Sequence, residues 1–138
     1  MKRPIAIASG AFLLLVSTAV AAGPREDILA RYAAQAQNST AGFTGFSPER
    51  GRMLHTSKFT GGKPATPACT SCHGAAPQRQ GQTPAGKPID PMAVSASSQR
   101  YTDLAKVEKW FKRNCNEVLG RECTAVEKGD WLTYMVKQ

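Results

Sequence analysis

The chain has 138 residues, of which 41% are hydrophobic and only 7% aromatic, with four cysteines and a formal net charge of +8. Such a length leaves room for one thin core, short of apolar surface unless a bound group supplies more. The cations are scattered and no aromatic stacking motif accompanies them, so nucleic-acid binding is excluded and the charge reads as solubility or as steering toward acidic partners.

The first segment opens on Lys2-Arg3, runs through an apolar stretch from Ile5 to Val20 and closes on Ala19-Val20-Ala21. A charged start, an apolar centre and a small-residue cleavage site make residues 1–21 a secretory signal peptide, too short and too interrupted for a membrane span. Lys2 and Arg3 account for two of the positive charges, so the remaining domain, 22–138, carries about +6.

Pro24-Arg25-Glu26-Asp27, followed by Ile28, Leu29, Tyr32, Ala33 and Ala36, predicts an amphipathic helix with acidic residues in its first turn. Asn38 to Phe46 reads as a loop that turns Phe43 and Phe46 inward. Ser47-Pro48-Glu49 starts a second short helix, with Ser47 as cap and Met53, Leu54 and Phe59 toward the core. His55, beside them, reads as a surface or hydrogen-bonding residue rather than a ligand.

Cys69-Thr70-Ser71-Cys72-His73 follows. Two thiols separated by two residues can each add across a vinyl group of haem, and the adjoining histidine is then held beneath the iron, so C-x-x-C-H predicts one covalent haem c with His73 as axial ligand. A thioredoxin-like site would need a buried strand before the motif, which Gly61-Gly62-Lys63-Pro64 cannot form. A zinc site would need a second ligand pair, which Cys115, Cys123 and His55 do not supply at metal-binding spacing. With two thiols committed to haem, Cys115 and Cys123 remain as an even pair in an exported chain.

Gly74 to Ser98 contains Pro77, Pro84, Pro88 and Pro91 and no helical pattern, which predicts a long loop wrapped over the haem edge. Lys63, Arg79 and Lys87 read as surface cations within reach of propionates. Met92 lies in this loop. A thioether there is the usual second ligand of an electron-transfer cytochrome c, and the residues by themselves leave ligation and plain packing of Met92 equally open.

Thr102-Asp103 begins a third helix in which Leu104, Val107, Phe111 and Val118 recur at helical spacing before Gly120. At about 100° per residue Asn114 projects within roughly 20° of Val107, a polar group on the apolar face. The last helix opens on the capping-box pattern Thr124-Ala125-Val126-Glu127 and carries Trp131, Leu132, Tyr134 and Met135, suited to closing over the first helix. Short helices, long loops and no alternating strand predict an all-α haem domain whose parts follow the order of class I cytochrome c.

From Glu49 onward the chain resembles a known family. The run Val107-Glu108-Lys109-Trp110-Phe111-Lys112-Arg113-Asn114-Cys115-Asn116, then Val118-Leu119-Gly120-Arg121, Cys123-Thr124 and Glu127-Lys128-Gly129-Asp130, is similar to the sphaeroides haem protein family of bacterial oxygen-binding cytochromes c. Thr60-Gly61-Gly62-Lys63-Pro64, the haem motif, Gly81-Gln82-Thr83 and Gly86-Lys87 fit it too. The resemblance implies a high-spin haem with His73 below and Asn114 above, and a disulfide between Cys115 and Cys123. The signal peptide makes the protein periplasmic, a weak amide ligand is expected to loosen on reduction so that oxygen or another diatomic can bind, and the resemblance implies a dihaem cytochrome c or membrane cytochrome b as electron donor. Competing readings are an ordinary His73/Met92 electron carrier and a nitric oxide or peroxide reductase. No distal histidine or arginine marks the proton donor that a reductase needs.

Overall fold

A computed structural model describes residues 23–138, so the signal segment 1–21 lies outside the described residues. Helix α1 spans Pro24–Ser39, α2 Pro48–Thr56, α3 Thr70–His73, α4 Leu104–Leu119 and α5 Ala125–Val136. Each start follows from local chemistry. Ser47 Oγ accepts the Arg50 amide at 3.2 Å, Asp103 accepts the Lys106 amide at 3.0 Å, and Thr124 and Glu127 exchange both bonds of a capping box. Gly120 ends α4 at φ 72°, where an added Cβ would run into the Gly61 carbonyl, so only glycine lets the 60–63 segment close on this helix end.

The frame is built on α5, which packs against both α1 and α2. Along α1 the buried positions are Ile28, Tyr32 and Ala36, one residue per turn, while α5 buries Trp131, Leu132, Tyr134 and Met135. The α2–α5 crossing is close because Gly51 lies directly against the Asp130 backbone and Tyr134. Asp130, with a side chain 5% exposed, reaches back from α5 to accept the Ser47 amide at 2.6 Å and two Arg50 bonds at 2.6 and 2.8 Å. The expected all-α class I cytochrome c architecture is therefore what the chain adopts.

Three details differ from the sequence reading and a fourth is narrowed. Helix α1 continues through Asn38 to Ser39 instead of giving way to loop. Met53, expected in the core, is 48% exposed, because α2 turns Gly51 and His55 toward α5 instead. His55, read as a surface or hydrogen-bonding residue, is fully buried and takes the second of these roles. The proline-rich segment contains a two-strand antiparallel hairpin, β1 Gly81–Gln82 with β2 Pro88–Ile89, closed by a turn with Gly86 at φ 81°.

The rest of that segment is pinned rather than loose. Met92 and Ala93 amides donate to the Pro77 carbonyl at 2.8 and 2.9 Å, and Val94 donates to Met135 at the end of α5. Arg100 donates to the Pro91 and Asp90 carbonyls, while Arg25 of α1 donates to those of Ser98 and Arg100. These bonds give a chain stretch that lacks regular structure the partners its backbone requires.

Candidate haem site

The motif lies on α3, a single helical turn closed by the His73 amide donating to the Cys69 carbonyl at 3.0 Å. One turn is enough to bring residues 69, 72 and 73 to adjacent positions. Cys69 and Cys72 are not bonded to one another. Burial pushes the Cys69 thiol up to about 11 and raises that of Cys72 as well. Such an environment disfavours a thiolate nucleophile or zinc ligand and suits a neutral thioether, the form the sulfur takes after addition to a haem vinyl group.

His73 sits in a pocket that keeps it neutral. Burial, then the adjacent His55 and the cation of Arg100, lower it to about 4. A neutral imidazole is the form that ligates iron. Its Nδ1 is buried without a hydrogen-bond partner among the described residues. Beside the motif runs an open groove of about 670 Å³ lined by Thr70, Ser71, Cys72, Gly81, Gln82 and Pro88. A second cavity, of about 270 Å³, lies at Glu108, Lys112, Cys123 and Lys128, away from His73 and Asn114. The thiol pair and neutral histidine fit a covalently tethered haem; the groove touches Cys72 but is lined by neither His73 nor Asn114.

Asn114 is half-buried on α4, on the strip that buries Val107, Phe111 and Val118. Two residues on, Asn116 lies on the exposed side and satisfies its amide on the Lys112 carbonyl at 2.6 Å. Immediately after Asn114, Cys115 is bonded to Cys123. That disulfide clips the end of α4 to the approach to α5, and is the pairing the resemblance implied. Met92 is buried in the hydrophobic cluster, with its carbonyl held by the Tyr101 hydroxyl at 2.8 Å. Lys63 pairs at 3.7 Å with Glu117 of α4 while remaining largely exposed.

Two groups near the motif were not legible as parts of a site. His55 is hydrogen-bonded to the Gly74 carbonyl and to Trp131, and Tyr101 packs edge-on against Trp131 with ring centroids 5.8 Å apart. Tyr101 adopts φ 63°, uncommon for a residue with a side chain, and the sequence carries no mark of that.

A C-x-x-C-H turn set in this helical frame defines a c-type cytochrome of class I architecture. The family described as Domain of unknown function (DUF1924) matches residues 41–135. Cytochrome c-type protein SHP of Cereibacter sphaeroides is 58% identical over 90 residues, 65% of this chain and 70% of that protein. Cytochrome c'' of Methylophilus methylotrophus is 30% identical over 114 residues, 82% and 79% of the two chains. Among solved structures, oxidized SHP, described as an oxygen binding cytochrome c, matches with TM-score 0.77 at 49% identity, covering 84% of this chain and 97% of that one. Oxidized cytochrome c'' matches with TM-score 0.73 at 30% identity, covering 83% and 94%. The chain belongs to the sphaeroides haem protein family of c-type cytochromes.

Proposed function

We propose that the protein is a periplasmic electron-accepting cytochrome, its haem held by His73 and Asn114, that binds oxygen or another diatomic after reduction. When bound, the haem would supply an iron able to exchange one electron and to bind a small guest. Cys69 and Cys72 tether one haem c, and His73 provides the permanent imidazole. Asn114 would help hold the iron through its carboxamide oxygen, a hard, neutral and weak donor better matched to ferric than to ferrous iron. A carboxamide held that weakly could give way to a small guest, to which its N–H group would be free to donate a hydrogen bond.

The observation that carries this reading is the half-buried place of Asn114 on the strip of α4 that buries Val107, Phe111 and Val118, one residue before the disulfide that anchors the helix end. The family supports it. SHP is described as oxygen-binding, and the solution structure of cytochrome c'' is described as giving insight into haem-ligand detachment. Residues 1–21 direct export across the inner membrane, and a dihaem cytochrome c or membrane cytochrome b supplies electrons.

Optical spectra of ferric and ferrous protein, with and without carbon monoxide, test the proposal. The expected ferrous form is high-spin and shifts on adding carbon monoxide, and Asn114→Ala alters the ferric spectrum while Met92→Ala does not. A low-spin ferrous form that ignores carbon monoxide would refute it.

A further inference from the structure

We infer that His55 is the positioning residue for His73, fixing the imidazole from behind through the Gly74 peptide; this rests on the reading of His73 as the permanent iron ligand. The chain has only two histidines, and their rings lie 6.5 Å apart, inclined at 34°. His55 is 0% exposed, so both ring nitrogens need partners inside the protein. Both have them. Trp131 Nε1–H, which can only donate, meets His55 Nδ1 at 3.3 Å. Nδ1 is therefore the acceptor, the proton sits on Nε2, and Nε2–H donates to the Gly74 carbonyl at 3.0 Å. A single neutral tautomer satisfies both contacts.

The accepting carbonyl belongs to the residue directly after His73, so the bond holds the chain where it leaves the haem-motif turn. Gly74 follows His73 directly and leaves the turn at φ 67° and ψ 173°, a geometry with no side chain to brace it. Metal-ligating histidines are ordinarily oriented by donating their second ring nitrogen to a carboxylate, carbonyl or water. Nδ1 of His73 is buried and has no such partner among the described residues. Its orientation must come from elsewhere, and the α2 histidine held against Gly74 by an α5 tryptophan supplies it. Trp131 also packs edge-on against Phe111, with centroids 5.5 Å apart, one turn before Asn114. The same tryptophan thus braces the histidine pair and the helix that carries Asn114.

Resonance Raman spectra of the ferrous haem-loaded protein, read at the iron–histidine stretching band, test the assignment. His55→Phe keeps the ring volume and removes both hydrogen bonds; the band is expected to broaden and shift by several wavenumbers. Trp131→Phe is expected to shift it in the same sense by less, and His55→Gln, which keeps one donor and one acceptor, to recover most of the wild-type band. A band unchanged in His55→Phe, with only a lower melting temperature, would make His55 a packing residue and overturn the inference. If that variant does not accumulate, an unchanged band in Trp131→Phe overturns it equally. Absence of the band from the wild type would instead defeat the underlying reading of an open ferrous site on His73, and the inference with it.

Discussion

Replacing Asp130 by alanine removes the ionic clasp between α5 and the start of α2, and its cost can be worked from the contacts. The carboxylate is nearly buried and accepts three hydrogen bonds, one from the Ser47 amide and two from Arg50. The Arg50 side chain is 48% exposed, so once released it regains water, and its share is held to the roughly 1 kcal/mol of a screened surface pair. The Ser47 amide loses a charged acceptor in a part-buried position, worth about 2 kcal/mol. The sum is near 3 kcal/mol. With an unfolding entropy of about 0.24 kcal/mol/K for a domain of about 115 residues, the melting temperature should fall by about 12 °C. Asp130→Asn retains one acceptor and should lose about half as much. Thermal denaturation of the haem-loaded protein, followed by far-UV circular dichroism, measures both. A drop below about 4 °C for Asp130→Ala, equivalent to about 1 kcal/mol, would show that the clasp behaves as an ordinary surface ion pair.

Gly51→Ala would drive a methyl group into the Asp130 carbonyl, with the carbonyl carbon at 2.6 Å and Tyr134 Cβ at 2.9 Å, so denaturant unfolding should show a loss of about 3 kcal/mol. Replacing both Cys115 and Cys123 by serine opens a loop of sequence separation 8 and should cost about 2.5 kcal/mol by chain entropy. Carbon monoxide binding to that ferrous variant should be unchanged, and a lost redox dependence would reveal the disulfide as a switch. The Glu127 carboxylate is held below its ordinary value of 4.5, chiefly by hydrogen bonds from Arg121. Its stabilisation is complete above that value and fades as pH falls through the lowered one, so Glu127→Gln should flatten the acid limb of a stability–pH curve below about pH 5.

What could be read along the chain was whatever is decided within a few residues. The Ser47, Asp103 and Thr124 caps, the Gly120 stop and the one-turn haem motif all depend on neighbours three or four positions away, and each stands where the sequence put it. Asn114 was also legible as a misfit, because helical period alone sets it among Val107, Phe111 and Val118. The hairpin at Gly81–Gln82 and Pro88–Ile89 had a signal in Pro84-Ala85-Gly86, but two-residue strands are too short to show alternation.

The sequence by itself determined the C-x-x-C-H motif and the helical order, because motif spacing, capping and apolar period are local properties of a chain. Only the tertiary structure decided which face of the nine-residue α2 is covered. Packing of Gly51 on Asp130 rotates Met53 outward and His55 inward, and no pattern within α2 distinguishes those two outcomes. The Trp131–His55–Gly74 contacts arise in the same way. His55 and Trp131 are 76 positions apart, and their hydrogen bond exists because two helices cross closely enough to exclude water from a polar group that must then find its partner inside.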